Sequence, residues 1–166
     1  MKGNAAHNLH WLQFSRCGSR PRWSYGDHGG SQNIGVKKVF VDQGSLVDIM
    51  YWKTYQKLQI PEEAMTLHDE PIYGFSRERV CTRRYIDLHK VYHEGNQTKN
   101  IHVRFLVVEA HTSYIVLLGR PSLNTLGAVV STFHLAMKFP FVVNYILTIH
   151  KDQNLVWECY MSSLQP

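Results

Sequence analysis

The sequence predicts one predominantly β domain with short helices, and three observations predict it. Residues 101–107 alternate, with Ile101, Val103, Phe105 and Val107 separated by polar His102 and Arg104, the period of a strand with one buried face. Two apolar stretches, Val39-Phe40-Val41 and Tyr114-Ile115-Val116-Leu117-Leu118, each run into a glycine turn and then a short helical segment. Apolar residues recur at helical spacing over 46–58, and a second short helix is expected over 122–126, begun at Pro121 and stopped at Gly127. At 166 residues the chain is the size of one domain and long enough to bury a core without staples.

Composition narrows the function classes. Hydrophobic residues make up 44% and charged residues 19%, which excludes a wholly disordered or fibrous chain. The 18 basic and 13 acidic residues give +5 and a pI near 9.2, too diffuse to name a partner, so nucleic acid is not expected as one. Cys17, Cys81 and Cys159 are far apart and never form Cys-x-x-Cys, which argues against a disulfide framework or zinc knuckle and for a reducing, cytoplasmic setting. His7 with His10 and His89 with His93 lack an accompanying ligand cluster, so neither a metal nor another cofactor is expected. The longest apolar run, 139–149, is broken by Pro140 and Asn144, and a membrane partner is not expected either.

Taken in order, residues 1–35 read as an irregular, disordered leader, with Trp11, Phe14, Trp23 and Tyr25 among Arg16, Arg20 and Arg22. The folded domain is expected over 36–150. Its first strand ends at Asp42, where the chain reverses through Asp42-Gln43-Gly44 and glycine admits backbone angles other residues resist. A buried carboxylate at such a corner, beside backbone N–H groups, suits acid–base work on a bound water, although Asp-x-Gly also makes ordinary surface turns. Ser45 and Asp48 have capping-box spacing, which predicts a helix over 46–58 with Ile49, Trp52, Tyr55 and Leu58 on its buried face. Pro61 ends it, and 62–70 is a short connection.

From Pro71 the pattern is extended. Ile72-Tyr73-Gly74-Phe75-Ser76 leads through Arg77-Glu78-Arg79 into a returning strand, a mobile hairpin. A second hairpin joins 85–92 to 101–108. The buried strand 114–118 then meets Gly119-Arg120-Pro121, with proline where a helix begins and Gly127 where it stops. Strands follow at 128–131, 135–139 and 146–149, and 151–166 reads as a linker.

Two buried strands ending in glycine turns, framing a hairpin at Gly74-Phe75, resemble the retropepsin-like aspartic proteases. In that family an Asp-Thr/Ser-Gly turn carries the catalytic acid, a glycine-bearing flap covers it, and a strand ending apolar-apolar-Gly crosses beneath. The matching residues here are Asp42-Gln43-Gly44-Ser45, the flap residues Tyr73, Gly74 and Phe75, and the strand Leu117-Leu118-Gly119-Arg120. The chain is more similar still to the protease segment of gag-pol polyproteins in plant gypsy-type LTR retrotransposons, over roughly residues 36–164 and notably Leu117-Leu118-Gly119-Arg120-Pro121-Ser122-Leu123-Asn124.

The resemblance implies an all-β closed barrel with one or two short helices, supplying Asp42 as half of a homodimeric site. It implies an aspartic endopeptidase that cleaves an extended peptide or polyprotein. The sequence also departs from the family: Gln43 stands for Thr or Ser, Arg77 stands where a flap turn favours glycine, the strand before Val39 is missing, and Phe141-Val142-Val143-Asn144 replaces a polar turn. Those are the marks of a degenerate or truncated copy. The alternatives are a catalytically silent domain of the same fold that dimerises or binds peptide, and a basic nucleic-acid-binding module.

Overall fold

The alternation at 101–107 builds the spine of the fold. The computed structural model describes residues 22–24, 31–32, 39–67, 72–73, 79–80, 82–94, 96–110, 112, 114–150 and 161. Its strands in chain order are β1 (Arg22–Ser24), β2 (Ser31–Gln32), β3 (Val39–Val41), β4 (Asp48–Tyr51), β5 (Thr66–Leu67), β6 (Ile72–Tyr73), β7 (Arg79–Val80), β8 (Thr82–Glu94), β9 (Gln97–Val108), β10 (Val116–Leu118), β11 (Val129–Ser131), β12 (Ala136–Val142) and β13 (Tyr145–His150). Two helices, α1 (Trp52–Lys57) and α2 (Arg120–Leu126), and a 3-10 turn at Glu62–Ala64 complete the described elements.

The long hairpin β8–β9 pairs from Thr82↔Val108 to Glu94↔Gln97. Its inner face carries Ile86, Leu88, Tyr92, Ile101, Val103 and Phe105, all buried. From Leu106 to Val108 alternation gives way to continuous burial, where β4 joins the far edge of β9 in parallel, Asp48↔Phe105 to Tyr51↔Val108, and both helices pack against β9. On the outer face Arg104 forks onto Asp87, its cross-strand partner, at 2.9 and 3.0 Å. With Arg104 64% and Asp87 37% exposed, water screens this pair. Arg104→Ala is expected to change the unfolding free energy by less than about 1 kcal/mol, and less still in high salt, as urea titrations would measure.

The larger sheet runs β2-β1-β8-β9-β4-β10-β3, with β5 also on β8, while β11-β12-β13 form a second sheet. Met137, Phe139, Phe141, Leu147 and Ile149 turn inward from the second sheet into the same core as the β8–β9 face. Phe139 meets the Tyr92 ring edge-on at 5.2 Å, one of the contacts that joins the layers. Pro140, which cannot donate to a ladder, lies past the end of the β11 pairing, where no described strand pairs with that side of β12.

Several expectations hold and others need correction. The hairpin expected to join 85–92 to 101–108 is present as β8–β9, the strand expected over 114–118 as Val116–Leu118, and the helix expected over 122–126 as Arg120–Leu126, stopped at Gly127. Gly127 takes the left-handed φ of +64° at the end of α2. The helix expected over 46–58 is strand first: β4 occupies Asp48–Tyr51 and the helix is only Trp52–Lys57. Pairing with β9 on one side and β10 on the other outweighs the local capping-box signal. The expected closed barrel is not formed. β3 is three residues long and pairs with β10 on one edge, and no described strand lies on its other edge to bring β2 and β3 together.

Two strands fall inside the 1–35 leader: β1 adds to β8 and β2 adds to β1. Of the apolar departure at 141–144, Phe141 is buried in the core and Val142 packs against it, so only Val143, 90% exposed in the turn before Asn144 at its positive φ, is left uncovered. Beyond His150 the described residues include only Met161, so the expected linker lies almost wholly outside them.

Candidate active site

The sequence Val-Phe-Val gives β3 a fully buried ladder against β10, Val116↔Val39 to Leu118↔Val41, in parallel. Asp42 is the first residue beyond that ladder. Its N–H still donates to the Leu118 carbonyl at 2.9 Å, so the turn begins with its backbone pinned to the crossing strand. The side chain is half-buried at the strand exit. Its Oδ1 accepts the Gly44 N–H at 2.8 Å, and its carbonyl accepts the Ser45 N–H at 3.3 Å. One carboxylate is therefore oriented by the turn that carries it.

Gly44 has a different role from the expected one. Among the described glycines only Gly127 has a positive φ, and at Gly44 an added Cβ would lie 3.1 Å from Asp42 Oδ1. The glycine clears room for the carboxylate rather than supplying an unusual backbone angle. Gln43 is exposed, and its Nε2 donates to the Val130 carbonyl at 3.3 Å, tying the turn to β11 of its own chain. Ser45 donates its hydroxyl to the Val47 carbonyl at 2.7 Å, so it stiffens the 45–47 segment and does not cap a helix.

Leu117 and Leu118 are buried in β10, where they pair with Phe40 and Val41 of β3. Gly119 follows at the entrance to α2, where a Cβ would lie only 2.4 Å from the Val47 carbonyl oxygen. Arg120 returns a backbone N–H to the Ser45 carbonyl at 3.0 Å. The turn and the crossing strand thus grip each other at both ends. In the hairpin expected as a flap, Ile72 pairs with Val80 and Tyr73 with Arg79. Gly74, Phe75 and Arg77 lie outside the described residues.

The residues that the sequence reading missed sit around this grip. Asp48, expected to cap a helix over 46–58, instead sends its carboxylate to α2: Oδ1 accepts from Gly119 N–H at 2.7 Å and Oδ2 from Ser122 N–H at 3.1 Å. Burial raises its carboxyl above the ordinary range, opposed by those hydrogen bonds and by the charge of Lys90. Lys90 is buried too, and its ammonium is pushed down to about 7 by burial against the pull of Asp48. A signal existed: Lys90 falls in period-two phase with Ile86, Leu88 and Tyr92 on a buried face. Tyr51, beside the site on β4, has its phenol pushed up by burial and then by the negative charge of Asp42.

Among the described residues no group of three or more His, Cys, Asp or Glu side chains is placed to hold a metal ion. No described helix is long and apolar enough to cross a membrane. What the arrangement offers is one oriented, water-accessible carboxylate on a rigid corner.

Comparison with known proteins yields no matching family model and no matching curated protein. Among solved structures, the retroviral protease-like domain of Ddi1 from Leishmania major aligns with a TM-score of 0.50 at 15% identity, covering 85% of this chain and 94% of that one. The likeness is one of fold: a predominantly β chain with two short helices has a retropepsin-like architecture.

Proposed function

We propose that the chain is one half of an aspartic endopeptidase of retrotransposon origin, similar to the gag-pol protease segment of plant gypsy-type elements, that processes a polyprotein as a homodimer. The observation that carries this reading is the locked Asp42 corner, with its N–H on the Leu118 carbonyl and its Oδ1 on the Gly44 N–H. One chain contributes one such carboxylate, and a second copy completes the pair across a twofold axis. Two like carboxylates held close do not both ionise at low cost, so the pair shares a proton. One Asp42 then takes a proton from water while the other donates to the peptide carbonyl, and the Tyr73-Gly74-Phe75 hairpin closes over the extended substrate.

The test is cleavage of a diverse peptide mixture at mildly acid pH by the full-length chain, with Asp42→Asn as its pair. Circular dichroism must show both folded. The parent is expected to cut and the variant to lose at least about a hundredfold in rate. Equal cleavage by the two would remove Asp42 from the chemistry.

A second reading, the catalytically silent domain that dimerises or binds peptide, is favoured by one observation. Gln43 stands where the family has a small hydroxyl bracing the two turns across the dimer, yet its amide is engaged with Val130 of its own chain. Absence of cleavage by a folded, dimeric parent would select this reading.

A further inference from the structure

Asp48 is 2% exposed at the start of β4, and both its carboxylate oxygens accept backbone N–H groups from a distant element, Gly119 at 2.7 Å and Ser122 at 3.1 Å. Gly119 and Ser122 flank the corner where β10 becomes α2. The same corner holds the Asp42 turn: Leu118 accepts the Asp42 N–H at 2.9 Å, and Arg120 donates its N–H to the Ser45 carbonyl at 3.0 Å. Fixing that corner from below therefore fixes the backbone that carries Asp42. We infer that Asp48 is the positioning residue of the Asp42 turn, acting through the Gly119 corner, with Lys90 as the buried counter-charge that keeps its carboxylate ionised. The inference rests on reading Asp42 as the catalytic acid.

The chemistry requires the ionised form. A carboxylate accepts at both oxygens, whereas a neutral carboxylic acid places an O–H on one of them and releases one of the two N–H groups. Burial favours the neutral acid, so something must oppose it. The groups that act on Asp48 are the Gly119 and Ser122 backbones, the Ser122 side chain on α2 and Lys90 on β8, while Asp48 in turn raises the phenol of Tyr92, also on β8. Lys90 is the positive member of this set. Its side chain enters the core from the inner face of β8, with Nζ 4.8 Å from the centre of the Tyr92 ring. Each of the two charges favours the ionised form of the other.

Amide hydrogen exchange on the full-length protein tests this without requiring activity. Asp48→Asn keeps the side-chain shape but replaces one acceptor with an NH2 group. Protection at Gly119, Ser122 and Asp42 is expected to fall by about tenfold or more, with Val103 and Leu88 in the β8–β9 core unchanged. Lys90→Met should leave the corner protected at neutral pH and lose that protection in mildly acid buffer, where the Asp48 carboxyl, without its counter-charge, takes a proton. Uniform loss of protection throughout Asp48→Asn, or an unchanged Asp42 amide, would overturn the inference. If Asp48→Asn does not fold, Lys90→Met decides, and a corner indifferent to pH in that variant overturns it. Peptide cleavage measured alongside should show kcat falling with KM unchanged. A parent that never cleaves removes the catalytic reading of Asp42 but leaves the exchange comparison to judge Asp48.

Discussion

Gly119→Ala is expected to destabilise the fold by about 3 kcal/mol, the upper end of what inserting one methyl group into a packed interior usually costs. The backbone there has an ordinary φ of −92°, so the cost is one of contact and not of conformation. An added Cβ meets the Val47 carbonyl oxygen at 2.4 Å, and the Ser45 oxygen and the Val47 carbonyl carbon at 3.0 Å. All three are backbone atoms, and none can swing aside as a side-chain tip would. The 45–47 segment is further held by the Ser45 hydroxyl on the Val47 carbonyl and by the Arg120 N–H on the Ser45 carbonyl. Relief therefore requires β10 and the Asp42 turn to move apart. Gly44→Ala is the instructive contrast, because its Cβ meets only the tip of the Asp42 carboxylate at 3.1 Å. That variant should lose little stability while displacing the carboxylate. Urea midpoints for both variants check the pair, and a loss below about 1 kcal/mol at Gly119 would mean the crossing is looser than its geometry implies.

The same contrast explains how much of the site was legible in the sequence. Leu117-Leu118-Gly119 could be read because an apolar strand ending in glycine signals close backbone approach, and Pro121 and Gly127 bracket α2 by their own backbone chemistry. The β8–β9 hairpin could be read because one face is core and the other water, which writes a period of two into the chain. Asp48 was misread because Ser45-x-x-Asp48 is a local signal, whereas its partners Gly119, Ser122 and Phe105 are distant in sequence. Propensity cannot weigh a ladder whose other strand has yet to be placed. Closure of the barrel was expected from resemblance alone, and whether β3 pairs on its second edge depends on which strand lies beside it, something no local pattern encodes.

Lys90→Met is expected to stabilise the protein at and below neutral pH, where the parent carries an ammonium whose burial the attraction of Asp48 does not offset. In the folded chain Lys90 is fully enclosed, and burial outweighs the attraction of Asp48, so its ammonium titrates near 7 against an ordinary value of 10.5. The unfolded chain therefore binds more protons than the folded one between about pH 7 and 10.5, and stability attributable to this group rises with pH across that window. Below pH 7 the buried charge is carried in full; above 10.5 neither state carries it. Tyr92 acts in the opposite sense, because its raised phenol keeps a proton that the unfolded chain begins to release near pH 10, so stability turns down again beyond that point. The parent should accordingly show a rise from pH 7 to about 10, and Lys90→Met should flatten it. The flattening separates the two roles of Lys90: its removal favours the fold as a whole, while Asp48 loses the charge that kept it ionised. A variant globally more stable at pH 6 yet less protected at Gly119 is the result that follows from both. Chemical denaturation from pH 6 to 10 measures the first, and a parent whose stability is flat across pH 7–10 would show that the Lys90 ammonium is not enclosed as the packing around Leu88 and Tyr92 indicates.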